Sequence, residues 1–277
     1  MSTNNRTSEL QVASIQMVST PSLMENLDTA SRLVQAASQQ GAQLVVLPEY
    51  FCLMGLKDTD KVSAREPAGA GPIQEKLAAI AQENQIYLIA GTIPLVAQES
   101  HQVLNTSLVF NPAGQSIARY DKIHLFGFQT DTERYAESET IEAGNQLGRL
   151  RITVDGTEWN FGLTICYDLR FPELYRALGE VDCHIIPAAF TYTTGKDHWE
   201  VLLRARAIEN QCYVLSSAQG GKHLNQRRTW GNSMLIDPWG TILANLPEGE
   251  GFISGTLSKD KLKEVRSKLP ALKHRKL

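Results

Sequence analysis

Cysteine is scarce in this chain, and the four residues present, Cys52, Cys166, Cys183 and Cys212, form no Cys-x-x-Cys pair and no regular framework. A disulfide scaffold is not expected, and neither is a zinc site: the six histidines supply no His-Glu-x-x-His and no Cys/His cluster of ligand spacing. An excess of one charge is also missing. The 27 Lys and Arg against 30 Asp and Glu leave a formal net charge of -3, and the one basic cluster is the terminal "LKHRKL". Nothing therefore draws the chain to nucleic acid or to an anionic membrane surface. No apolar run approaches the roughly 20 residues that span a bilayer, and "MSTNNRTSEL" lacks the apolar stretch of a signal peptide. A cytoplasmic protein without metal, nucleic-acid or membrane partner is the expectation. What is present is ordinary: 42% hydrophobic and 21% charged residues in 277, enough to bury one sizeable core.

The patterning is written twice. "LQVASIQM" reads as a buried strand, and Leu23, Leu27, Ala30, Val34 and Ala37 follow at helical spacing. "LVVLPE" is a second strand, Ile73, Leu77, Ile80 and Ala81 mark a second helix, and "YLIAGTIP" (87–94) and "SLVFNPAGQSIARY" (107–120) give a strand and a hairpin. The second half repeats this order with "FGLTICYD", "FPELYRAL", "CHIIPAAF", "DHWEVLLRARAIEN", "YVLSSAQG" and "SMLIDPWGTILANL". "SLVFNPAG" matches "SMLIDPWG" in an Asn/Asp-Pro-x-Gly turn, where Pro presets φ and Gly accepts a positive φ. Each half predicts a mixed sheet with helices on one side. Two such sheets bury their bare faces by stacking, so the expected fold is an α/β protein of four-layer α-β-β-α type with internal duplication. No linker divides it: one domain is expected over 1–277, with a core at about 9–260 and a C-terminal helix and tail at 261–277.

Three strand ends carry reactive groups: Glu49 in "VVLPEYF", Lys122 in "RYDKIHLFGF" and Cys166 in "LTICYDLRFPEL". Position alone leaves each open, since Glu49 suits a solvated loop, Lys122 a surface charge and Cys166 a small buried hydrophobe. Cys166 also stands where a strand meets a short helix, whose free N–H groups would stabilise a thiolate. Together the three divide the work of acyl transfer, which needs a nucleophile, a base and positive charge where the oxyanion develops. His184, His198 and His223 raise a Cys–His alternative, but no local cysteine-protease signature surrounds Cys166. Cys183 and Cys212 read as strand residues, whereas Cys52 could line a pocket near Glu49.

"VVLPE", "YDKIHLF" and "TICYDLRFPE", in this order, resemble the motifs of the nitrilase superfamily of carbon–nitrogen hydrolases, and the resemblance covers nearly the whole chain. It implies the α-β-β-α sandwich, no cofactor, and a catalytic triad of Glu49, Lys122 and Cys166. The family's auxiliary glutamate falls on Glu137 in "RYAESETIEAG", with Glu133 and Glu139 as rivals. It further implies a thioester route, with the Tyr167 N–H assisting the oxyanion. "PEYFCLMG", "FTYTTGKDHW" and "RRTWGNSMLIDPWG" are most similar to the amidase branch that includes deaminated-glutathione and omega-amidases. The expected substrate is then a primary amide of a small carboxylate-bearing acid, releasing ammonia, with nitriles and N-carbamoyl compounds as alternatives. Phe51, Phe126, Phe190 and Tyr192 are candidate apolar walls, and Thr191 and Thr194 candidate donors. Arg170, Lys222, His223, Arg227 and Arg228 are candidate anchors for the carboxylate. In relatives the helix after the nucleophile often forms a homodimer contact, for which Phe171, Leu174, Tyr175 and Leu178 could supply an apolar stripe. The reading from another class is a catalytically silent interaction module.

Overall fold

Two mixed sheets form the centre of the molecule, in a computed structural model that describes residues 8–129, 131 and 134–276. The first half of the chain supplies β1 (Glu9–Gln16), β2 (Leu44–Val46), β3 (Tyr87–Ile89), β4 (Ile93–Val96), β5 (Val103–Phe110) and β6 (Ser116–Asp121). Between them run the helices α1 (Leu23–Gln39), the short α2 (Asp60–Ser63) and α3 (Pro72–Asn84). A small hairpin, β7 (Gly127–Gln129) with β8 (Arg134–Ala136), and the two-residue β9 (Ile141–Glu142) lead to the second half. There β10 (Gly148–Val154), β11 (Thr157–Leu163), β12 (Cys183–Ala188), β13 (Tyr213–Ala218), β14 (Ser233–Ile236) and β15 (Ile242–Leu246) form one sheet in chain order. Helices α4 (Pro172–Leu178) and α5 (Tyr192–Asn210) cover it. Then β16 (Gly251–Ser258) returns to pair antiparallel with β1, and α6 (Lys259–Lys268) follows.

Strand alternation makes the layers. In β1 and β2, Leu10, Val12, Leu44 and Val46 share a core with Trp159 and Phe161 of the facing sheet. The alternate residues Ala13, Ile15 and Val45 pack instead with Leu33 and Val34 of α1 and Leu77 and Ile80 of α3. The result is the expected α-β-β-α order. The duplication extends to detail: β5 shifts register against β6 at Val109/Phe110, and β14 shifts against β15 at the matching Leu235/Ile236. Asn111 and Asp237 occupy equivalent places in the two turns, and each side chain accepts two backbone N–H groups of its own turn.

Three expectations need correction. The run 87–94 is not one strand: β3 and β4 both lie along β5, separated at Ala90–Thr92, where Gly91 takes a φ of 52°. A Cβ there would stand 2.1 Å from the Pro48 carbonyl oxygen, so the close approach requires glycine. The edge strands β10 and β16 carry no reactive motif and were not foreseen, and the last helix begins at Lys259. Finally, the α4 stripe is not free for a partner. Leu174, Tyr175 and Leu178 are buried within the chain, and Phe171 stacks on His124 at 3.7 Å.

Candidate active site

Glu49, Lys122 and Cys166 all lie just beyond strand ends, and the stacking of the sheets brings them together. Glu49 follows β2 and is followed by Tyr50 at a positive φ of 56°. Its Oε1 accepts from Asn105 Nδ2 and Lys122 Nζ, both at 2.9 Å, and its Oε2 accepts from the Ala189 N–H at 2.9 Å. Lys122, one residue past β6, is fully buried, and its ammonium also donates to Glu137 at 2.7 and 2.9 Å. Glu137 accepts in addition from Tyr50 Oη at 2.8 Å and from the Phe126 N–H at 2.6 Å. One cation thus joins two carboxylates.

Cys166 opens the 3-10 turn Cys166–Arg170 at a φ of 47°, a conformation that costs a non-glycine residue strain and recurs at functional turns. The buried Asp168 carboxylate holds that turn. It accepts the Ile165 N–H at 2.8 Å, Tyr120 Oη at 2.6 Å and the His124 N–H at 3.0 Å, and it meets His124 Nδ1 at 2.7 Å. Tyr120 and His124 flank Lys122, so Asp168 ties the thiol's turn to the ammonium's segment.

Burial and the neighbouring charges set the protonation states. Burial, reinforced by the Glu137 charge, raises the Glu49 pKa despite Lys122. Burial also opposes charge on Glu137, but Lys122, the Phe126 N–H and Tyr50 outweigh it and hold this carboxyl below its usual range. For Lys122 burial acts against the ammonium, and the two carboxylates overcome it, raising its pKa well above normal. Cys166 is likewise pushed well above its ordinary value by burial and then by the Glu49 charge. Burial and the Glu49 charge thus oppose the thiolate that the strand-to-helix position would favour, and a carboxylate of raised basicity stands beside the thiol to take its proton.

A cavity of about 720 Å³, part of it open to solvent, meets this group. Of the foreseen substrate contacts, Phe126, Tyr167, Phe190, Thr191 and Thr194 line it, as do Arg227 and Arg228. Thr191 and Thr194 bond each other at 2.9 Å, and Thr191 also caps α5 by accepting the Thr194 N–H. Arg170 does not reach the cavity: it stands behind the aromatic wall, 5.3 Å from the Phe190 ring and 3.2 Å from His198 Nδ1. Lys222 is also outside, and His223 is buried between Ser19 O and Thr229 Oγ1. Phe51 packs under α1 and α3, Tyr192 lies against Trp230 and Arg228, and Cys52 points to the Thr92 carbonyl away from this cavity. His184 is wholly buried, with its pKa depressed to about 3 by burial, and no histidine lines the cavity among the described residues. Glu139 pairs with Arg134 and is exposed, and Glu133 lies outside the described residues.

Sequence reasoning missed Asn105, Tyr50 and the Ala189 N–H, which complete the Glu49–Glu137 hydrogen bonding. An asparagine inside the apolar strand "VLNTSLVF" was a signal, because a buried amide needs a partner. Lys61, Asp58 and Tyr135 of the cavity wall were missed too; Asp58 precedes the short α2, Lys61 lies in it, and Tyr135 lies in β8.

The model of the family described as carbon-nitrogen hydrolase matches residues 11–267. The chain belongs to this family. It is similar to a deaminated glutathione amidase of Synechocystis, 45% identical over 267 residues, covering 95% of this chain and 97% of the relative. An omega-amidase NIT2 of Xenopus tropicalis is 34% identical over 272 residues, covering 97% and 95%. Among solved structures, Saccharomyces cerevisiae Nit3, a member of branch 10 of the nitrilase superfamily, superposes with a TM-score of 0.84 at 31% identity, covering 97% of each chain. This carbon–nitrogen hydrolase is an amidase.

Proposed function

We propose that the amidase acts by covalent catalysis, as one domain, on an amide of a small carboxylate-bearing acid. The observation that carries the reading is the buried ammonium of Lys122 between Glu49 and Glu137, with Cys166 lining the same cavity as both carboxylates. Glu49 takes the thiol proton as sulfur attacks the amide carbon. Lys122 and the Tyr167 N–H hold the oxyanion, and the carbonyl re-forms as the C–N bond breaks. Protonated Glu49 returns its proton to the departing nitrogen, leaving a thioester. Water, deprotonated by Glu49, then adds to the thioester carbon and expels the thiol, releasing the carboxylic acid. Glu137, held ionised by four donated hydrogen bonds, fits the task of fixing Lys122 better than that of a base.

The substrate follows the relatives. The amide bonds of the glutathione backbone are secondary and expel an amine, whereas an omega-amide is primary and expels ammonia. Identity of 45% against 34% favours the deaminated-glutathione reading, and with it an amine leaving group. Ammonia release belongs to the omega-amide reading. The test is kcat/KM for deaminated glutathione, a 2-oxo-acid omega-amide and an aliphatic nitrile, with Cys166→Ala as the inactive control and intact-mass detection of a thioester on the native chain. A nitrile preferred over both amides, or full turnover by Cys166→Ala, would overturn the proposal.

We also infer a cytoplasmic homodimer. Val201 and Ile208 on α5, 67% and 49% exposed, and Trp239, 58% exposed, are apolar side chains whose cover by a second copy would support association. The four free, buried cysteines suit a reducing compartment. Light scattering should give twice 30.7 kDa, and a fully active monomer at micromolar concentration would refute the dimer. Cell fractionation tests the compartment.

A further inference from the structure

Three cations line the active-site cavity without a part in the chemistry above, Lys61, Arg227 and Arg228, and the first two stand together. That pair comes from distant segments, Lys61 from α2 and Arg227 from the loop between β13 and β14. The segments are fastened to each other. Asn225 Nδ2 donates to the Gly55 carbonyl at 2.7 Å while its Oδ1 accepts the Arg227 N–H at 3.0 Å. Asp58 lies between the cations, in a charged hydrogen bond with Arg227 Nη2 and 3.8 Å from Lys61 Nζ. One carboxylate facing two cations leaves the trio with one positive charge in excess.

Lys61 is the inner member. Its side chain is 15% exposed, and its hydrogen-bond partner among the described residues is a neutral hydroxyl, Thr140 Oγ1 at 3.2 Å. Burial lowers its pKa against the pull of Asp58 and Glu137. A desolvated ammonium with donor capacity left over is where an entering carboxylate gains most, since the charge-assisted bond forms with little water left to displace. Arg227 is the outer member, its guanidinium 5.2 Å from the Tyr135 ring centroid, which restrains its plane. The other cation of the wall, Arg228, is engaged elsewhere, 3.8 Å over the Tyr192 ring and reaching Glu248.

We propose that Lys61 and Arg227 form the subsite that receives the carboxylate of the substrate's acyl part, and thereby select acids over neutral amides. The inference rests on the amidase reading and deepens it. The acyl part is favoured because Lys61 stands close to the reacting groups: it bonds Thr140, whose N–H donates to the Glu137 carbonyl at 3.0 Å, and its ammonium lies 5.8 Å from the ring centroid of Tyr50, which itself bonds Glu137. A short acid spans that gap. A carboxylate at the remote end of a long leaving group does not need to.

The experiment compares glutaramate, an amide bearing a carboxylate, with butyramide, its neutral counterpart of similar length. The native enzyme should prefer glutaramate. Lys61→Met and Arg227→Met should each raise KM for glutaramate about tenfold or more, the scale of a lost charged hydrogen bond, with kcat changed far less. The loss in kcat/KM should be about tenfold larger for the acid than for butyramide. Lys61→Gln, which keeps a polar donor, serves if the Met variant melts early, and Lys222→Met, a cation outside the cavity, should leave both substrates unaffected. Equal losses on acid and neutral amide, or an acid preference retained in both variants, would overturn the proposal. Calorimetric titration of glutarate into Cys166→Ala, with and without Lys61→Met, separates this from failure of the amidase reading. Glutarate binding that needs Lys61 upholds the subsite even if neither amide is hydrolysed, and binding indifferent to Lys61, or none, refutes it.

Discussion

Lys122 is the residue on which the site's stability and its chemistry both depend. Its ammonium is buried between two carboxylates, so its removal leaves two acidic groups facing each other. Lys122→Met should therefore lower unfolding free energy by about 3–5 kcal/mol, the usual cost of stripping one partner from a buried ion pair. Lys122→Met/Glu137→Gln should recover part of that loss in urea denaturation while remaining inactive; a double variant less stable than the single would contradict it. Glu49 gives the pH dependence. Its pKa is raised above 4.5, so it keeps its proton to higher pH than an ordinary carboxylate and loses its function as a base when pH falls through that raised value. The acid limb of kcat/KM should have its midpoint above 4.5, and a midpoint below it would argue against Glu49 as the base. With its pKa raised well above 9.0, Cys166 should react with iodoacetamide in a pH-dependent manner, increasingly fast above that value.

The elements matter here chiefly for how closely their ends approach. Gly91, in the break between β3 and β4, leans on the carbonyl of Pro48, the residue before Glu49. Gly91→Ala should displace that turn, lowering both melting temperature and turnover; native kcat/KM with an unchanged melting temperature would show that the turn tolerates the intrusion. The sequence made the repeated elements legible because their apolar periodicity is strong and their turns share Asn/Asp-Pro-x-Gly. Glu49, Lys122 and Cys166 were legible because each follows such an element directly. Arg170, Phe51 and Tyr192 were misplaced for the opposite reason: where a loop residue points depends on tertiary packing, which local pattern does not encode. Lys61 and Asp58 went unseen for the same cause. The strand break at Gly91 was hidden because the run 87–94 stays apolar through it.

At the scale of the whole molecule, the two repeats contribute unequally to one site. Glu49 and Lys122 come from the first, Cys166 and the Ala189 N–H from the second. The matching registers allow the comparison to be carried further. Ser14 lies opposite Val46 as Leu163 lies opposite Ile185, and Phe110 opposite Ser116 as Ile236 opposite Ile242. Counting onward from these pairs, Met17 corresponds to Cys166, Ala188 to Glu49 and Glu248 to Lys122. The architecture thus has a mirror position at which the nucleophile has become a thioether, the base a methyl group, and the cation an anion. Duplication supplied two frameworks, and only one is armed. A slow substrate that accumulates the acyl-enzyme should accordingly titrate one equivalent of product per chain in the initial burst, never two, and every acylated chain should lose its mass increment when Cys166 is replaced by alanine.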